Sequence, residues 1–200
     1  LCHISTALGV ELVRQAKQRG VAVTAETCPH YFTLTEKACE GYNTLAKMNP
    51  PLRNEEDVEA VIRGLQDGTL DIIATDHAPH HADEKNVEFD QAANGIIGFE
   101  TALPLAYTAL VKTGCLTMPQ LVYKMSKKPA EILKLDKGEL LPGKIADIVI
   151  FNPHESYTVD VDKMVSKAKN SPYHGWPVSG RVKVTLVNGK IVVRDGRPLY

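Results

Sequence analysis

The stretch LDIIATDHAPHHADEK, Leu70 to Lys85, runs from a mostly apolar segment directly into Asp76, His77, Pro79, His80 and His81. A short apolar run with β-branched residues is the pattern of a strand buried on both faces, as in a parallel sheet. In α/β folds with parallel strands, ligands gather at the carboxyl ends of the strands. A carboxylate and histidines placed there are candidates for chemistry, and the rest of the chain is read outward from them.

Upstream, NEEDVEAVIRGLQDG opens on Asn54, carries acids in its first turn and stops at Gly68. It reads as a helix with Asn54 as N-cap and Val58, Ile62 and Leu65 on its apolar face. Before it, KMNPPLR holds two prolines that forbid a helix and place Asn49 on a stiff, extended, exposed turn. VAVTAET is a β-branched strand running into CPHYF and His30. LCHIST reads as the end of a strand bearing His3, and ALGVELVRQAKQRG as a helix with Leu8, Leu12, Val13 and Ala16 at helical spacing, capped at Gly20. The order strand, helix, strand, loop, helix, strand predicts an α/β architecture with His3, His30 and Asp76 at strand ends.

Downstream, HHADEKNVEFDQAANGIIG reads as a long polar loop, and ETALPLAYTALVKTG and TMPQLVYKMSKKPAEIL as two helices broken by prolines. From Gly138 the texture becomes β-rich, with Pro-Gly, Asn-Gly and Asp-Gly turn signals. VKVTLV and KIVVRDG around Asn188-Gly189 predict a hairpin. Residues 138–200 are therefore expected to form a second, smaller β unit after a first unit over 1–137.

With 23 basic and 24 acidic residues the formal net charge is −1, so no global field recruits nucleic acid or an anionic membrane. A small molecule or another protein is the expected partner. Cys2, Cys28, Cys39 and Cys115 show no paired spacing and read as reduced thiols. The opening LCHIS resembles the last residues of a strand, which predicts that an N-terminal part of the protein precedes this chain.

Catalytic zinc takes imidazole nitrogen and carboxylate oxygen from several strand ends and keeps one position open. His3 and Asp76 suit that geometry, although a lone histidine is more often a satisfied, half-buried one. The motifs weigh more together than apart. HIST, TAETCPHY, KMNPPLR, ATDHAPHHADEK and GxxGFET, in that order, resemble the class I dihydroorotases of the cyclic amidohydrolase superfamily. GKxADIVIFNP and the closing pattern of the chain are similar to the tail of that superfamily.

The resemblance implies the C-terminal part of a TIM-like (β/α)8 barrel, followed by strands of a small composite β-sandwich domain. It implies His3 and Asp76 as zinc ligands, Asp76 also acting as general base and acid. It implies that Asn49 contacts the pyrimidine ring, that His80 holds the substrate carboxylate and that Gly95 binds substrate through its backbone. Asn94 stands where an aromatic is expected. His30 is assigned a structural or supporting role, His77 packing beside the strand end, His81 solvent exposure and Lys85 a loop-surface charge. Arg53 pairs either with a carboxylate in the pocket or within its loop; His154 and His174 are read as structural.

The family's HxHxR motif, with two further zinc ligands, has no counterpart, since no HxH occurs in the 200 residues. The bridging ligand of the fourth strand and the histidine of the fifth are missing too. The resemblance thus implies a cytoplasmic, homodimeric, zinc-dependent enzyme interconverting L-dihydroorotate and N-carbamoyl-L-aspartate, of which this chain alone is inactive. The alternatives are a dihydropyrimidinase- or allantoinase-type cyclic amidohydrolase, or a non-catalytic dihydroorotase-like subunit.

Overall fold

Helix α1 (Ala7–Gln18) begins where the Thr6 hydroxyl accepts the Gly9 amide, and ends at Arg19 and Gly20, as the sequence predicts. The computed structural model describes residues 1–199; Tyr200, the last residue of the expected second unit, lies outside them. Strand β1 (Glu26–Thr27), helix α2 (His30–Thr33), helix α3 (Glu55–Gln66) and strand β2 (Ile72–Ile73) follow. Strands β1 and β2 pair in parallel, Glu26 opposite Ile72 and Thr27 opposite Ile73. The parallel sheet is as expected, but its strands are two residues long, where VAVTAET and LDIIATD predict far longer ones.

Single bonds extend the sheet on both sides. Ile4 N donates to Glu26 O at 2.9 Å and Glu26 N to Leu1 O at 3.0 Å, while His77 bridges in parallel to Ile96. The chain thus runs parallel past four neighbouring segments without completing a ladder between most of them.

The apolar faces of α1 and α3 include Val13 and Leu65 as expected but are otherwise rotated from those read in the sequence. On α1, Val10 and Val13 are buried while Leu8 is 68% and Leu12 56% exposed. On α3, Asn54 Oδ1 caps Asp57 N at 3.0 Å, but Val61, Gly64 and Leu65 are the buried face and Val58 and Ile62 only border it. The two helices meet at Gly64, where a Cβ would stand 2.9 Å from Val10 Cγ1 and 3.1 Å from Leu70 Cγ. A glycine there lets the backbones approach, and this contact decides which stripe of each helix is buried.

Helix α4 (Ala82–Lys85) lies inside the segment expected to be loop. His81 is its N-cap, its Nδ1 accepting from Asp83 N, while Glu84 Oε2 accepts from His81 N in return. The two later helical stretches are not broken. Helix α5 (Ala102–Ala106) continues into a π turn over Tyr107–Val111, and α6 (Met118–Val122) continues through a π turn over Tyr123–Lys127 into α7 (Lys128–Ile132). Pro104 and Pro119 sit in first turns, where their missing N–H would have no partner anyway. The wider π turn lies just ahead of Pro129, the position at which a regular α-helix would lose a bond.

Strands β3 (Ile148–Thr158), β4 (Pro177–Val187), β5 (Lys190–Arg194) and β6 (Arg197–Pro198) form an antiparallel sheet in that order. The hairpin predicted at Asn188-Gly189 is present, and both residues have the positive φ that such a two-residue turn requires. Between β3 and β4 the chain returns to the first unit, where Val159, Val161 and Tyr173, with Val178 of β4, share one core with Cys28, Tyr31, Ile96 and Leu105. A second core joins Val10, Val13, Val61, Leu65, Leu70, Ile73, Leu110 and Leu121.

Candidate metal and substrate site

His3 and Asp76 end the two segments of the parallel array that flank β1, and both adopt left-handed backbone, at φ 58° and 47°. For residues other than glycine this conformation costs energy that the surroundings must supply, and it clusters at functional sites. The twist brings the side chains together, with His3 Nε2 3.8 Å from Asp76 Oδ1. Both are about a third exposed, open to solvent on one side.

Behind them, His3 Nδ1 lies 2.8 Å from Glu26 Oε1 and 3.6 Å from Cys28 Sγ. His3, Cys28 and Asp76 offer ligand atoms that lie within 4.8 Å of one another. Zinc–ligand bonds are about 2.0–2.3 Å. A separation of 3.8 Å between an imidazole nitrogen and a carboxylate oxygen is therefore short enough for both groups to hold one ion. Cys28 is a poorer candidate, because burial, reinforced by the charges of Glu26 and Asp76, pushes its thiol well above the ordinary range. The donor set fits a metal, with His3 and Asp76 as the donors that are ready.

His80 belongs to a separate cluster. Its Nε2 donates to Asn94 O at 2.8 Å, which leaves Nδ1 beside Glu84 Oε2 at 3.4 Å. Its backbone N donates to Asn170 Oδ1, and Asn170 Nδ2 donates in turn to Ala78 O and Gly95 O. Gly95 stands at φ 108°, and a Cβ there would fall 2.6 Å from Ala78 Cβ. Only glycine lets the two loops close on each other.

Lys85 is not the surface charge expected from sequence. It is 3% exposed, and its Nζ donates to Ala93 O at 2.7 Å and Gly95 O at 3.1 Å. Burial pushes its pKa down to about 8. A lysine is almost never fully buried unless its charge is satisfied, and here two carbonyls of the loop carrying Asn94 satisfy it. Its apolar stem and position after Glu84 gave no signal of this. Asn170, 90 residues from His80, gave none either.

His80 and His81 line a cleft of about 790 Å³ with Tyr42, Asn43, Lys85 and Asn170. His3, Asp76 and Asn49 do not line it. Asn49 is exposed on its proline turn, which is tied down where Tyr31 Oη donates to Pro50 O at 2.8 Å. Arg53 Nε is buried without a hydrogen-bond partner among the described residues, so neither pairing expected for it is made through that atom. His30 is 2% exposed, packs edge-on against Tyr31, and is driven down to about 3 by burial and then by the charge of His3. His77 stacks on Phe99 at 3.9 Å and accepts from Gly98 N at 3.0 Å, pinning the GFET turn. His154 is exposed, and His174 accepts from Val161 N while facing Asp160 and Asp162 at the surface.

With this geometry in view, comparison decides the family. The model described as "Amidohydrolase family" matches residues 2–192. The chain belongs to the amidohydrolase family. It is similar to the dihydroorotase of Acetivibrio thermocellus, 64% identical over 98% of this chain and 46% of that protein. It is also similar to the dihydroorotase of Ruminiclostridium cellulolyticum, 60% identical over 97% of this chain and 45% of that protein. Among solved structures, the L-hydantoinase (dihydropyrimidinase) from Arthrobacter aurescens superposes with a TM-score of 0.94 at 33% identity, over all of this chain and 45% of that one. The amidohydrolase chain thus spans about half the length of the curated relatives it matches. Among its described residues no helix is long and apolar enough to cross a membrane.

Proposed function

We propose that the protein carrying this chain is a zinc-dependent dihydroorotase that interconverts L-dihydroorotate and N-carbamoyl-L-aspartate. The observation that carries the reading is the convergence of His3 Nε2 and Asp76 Oδ1 at strand ends, in a chain 64% identical to a protein named dihydroorotase. In it, His3 and Asp76 hold the metal, Asn49 and Gly95 meet the ring, and His80 meets the substrate carboxylate.

Bound zinc would polarise the ring carbonyl and acidify water. Asp76 takes a proton from the attacking water on a carboxylate oxygen and later delivers it to the amide nitrogen as the ring C–N bond breaks. His3 keeps its imidazole aimed beside that carboxylate. The Asn94 carbonyl fixes the ring of His80. Water adds across the amide bond, and no other reactant is consumed.

The remaining ligands and barrel strands come, in this reading, from polypeptide outside these 200 residues. Exposed Leu8 and Leu12 on α1 support such a neighbour. Residues 1–137 form the barrel portion and 138–200 the C-terminal part of a composite sandwich, with Val159–Val178 packed back on the barrel. Half-exposed Val149, Ile150 and Leu141 support a sandwich partner for the sheet. The assembled enzyme is a cytoplasmic homodimer.

The deciding experiment is a zinc-supplemented assay of the complete protein with L-dihydroorotate, dihydropyrimidines and hydantoins, with orotate as competitor. Hydrolysis of L-dihydroorotate that orotate inhibits is expected. Preference for the uncharged rings, in keeping with the hydantoinase and dihydropyrimidinase names of the structural neighbours, would instead favour a dihydropyrimidinase-type enzyme. No turnover of any ring by the complete protein would favour a non-catalytic subunit. In an active protein, Asp76→Asn is expected to lower kcat by about 10²–10⁴.

A further inference from the structure

We infer that Glu26 is a positioning residue for His3, fixing both the backbone and the ring so that Nε2 faces the ion shared with Asp76. The inference rests on the reading of His3 and Asp76 as metal ligands. The backbone of Glu26 is registered against the segment that carries His3, through Glu26 N to Leu1 O and Ile4 N to Glu26 O. Its side chain is 15% exposed and folds back on that segment. One oxygen, Oε1, accepts from His3 N at 3.2 Å and lies 2.8 Å from Nδ1 of the same residue.

These two contacts do different things. The first satisfies the amide of a residue held at φ 58°, a conformation that needs outside support. The second sets a carboxylate against the Nδ1 side of the ring, which favours the proton there and leaves the lone pair on Nε2, the nitrogen facing Asp76. A carboxylate behind a ligating imidazole fixes its tautomer and raises its basicity. The competing neighbour of Nδ1, Cys28 Sγ, is farther off at 3.6 Å and is a weak acceptor. Glu26 Oε1, at 2.8 Å, is thus nearer to the far side of the ring than Cys28 Sγ. The TAET motif contained it, but nothing in a lone glutamate at a strand end signalled this task.

The test compares Glu26→Ala and Glu26→Gln in the complete protein with His3→Ala and Asp76→Ala as references. Zinc affinity is measured by chelator competition, the cobalt(II) absorption spectrum reports ligand geometry, and melting of the metal-free protein reports folding. Expected is an about 10–100-fold loss of zinc affinity and an altered cobalt spectrum in Glu26→Ala. Glu26→Gln, which keeps an acceptor oxygen, should recover most of both. Wild-type affinity and spectrum in Glu26→Ala, while the two reference variants lose zinc, would overturn the inference and leave the metal reading standing. Equal losses in both Glu26 variants, matched by equal losses of metal-free stability, would overturn it in favour of a purely structural bond. If the reference variants also bind zinc normally, the metal reading fails and this inference with it.

Discussion

The parallel strands β1 and β2 are two residues long, whereas β3 and β4 each run eleven, yet the short pair lies in the denser part of the molecule. Ile73 and Thr27 are buried, and Val61, Leu65 and Leu70 beside them are fully so. In the long sheet Val149 and Ile150 are each 52% exposed and no residue of β5 is buried. Regular hydrogen bonding and burial are therefore separate properties here. The strand ends that carry His3 and Asp76 are held by tertiary packing, which can support left-handed backbone; the long sheet keeps its antiparallel pairing through bulges at Ile150/Phe151 and Thr185/Leu186.

The largest effect that would test this contrast is in the core behind the site. Leu65→Ala removes a side chain with no exposed surface from the α1–α3 contact, and is expected to cost about 2–5 kcal/mol in urea unfolding of the complete protein. A cost below about 1 kcal/mol would mean that the short strands do not rest on that core.

The second test uses acid. His30 keeps its neutral form down to about 3 when folded, against an ordinary 6.5, chiefly because burial disfavours its charge. The unfolded chain takes up that proton first, so the stability contributed above pH 6.5 is lost as pH falls from 6.5 toward 3. Carboxylates titrate in the same range in both proteins, so the comparison is with His30→Phe. Its stability, whatever its level at neutral pH, should fall less steeply with acid. Parallel curves would show that His30 is not the proton-excluding residue its burial suggests.

The contrast also explains what the sequence revealed. Asn54, Gly20 and Asn188-Gly189 act within a few residues of themselves, and caps and turn were found where expected. The pairing of His3 with Asp76 was legible only through motif resemblance, because 73 residues separate them and no periodicity joins them. Val13 lies on the buried face as expected, but the exposure of Leu8 and Leu12 and the burial of Val10 were hidden, since all of them fit helical spacing with Val13; the close approach at Gly64 favours Val10. Glu26, Lys85 and Asn170 were missed because each acts on backbone groups brought to it by the fold.

The smallest effect lies in the long sheet and is the most informative about what surrounds it. Ile150→Thr keeps a β-branched residue on β3, so strand propensity is nearly unchanged and only apolar area is lost. With Ile150 half exposed, as it is among these residues, the change should fall within about 0.5 kcal/mol. A sandwich partner would bury that side chain, and then the same substitution should cost about 1–2 kcal/mol, since full burial of an isoleucine contributes about 1.5–3 kcal/mol. The composite sandwich proposed above predicts the larger value in the complete protein, and the smaller one would leave the sheet as exposed as its surface suggests.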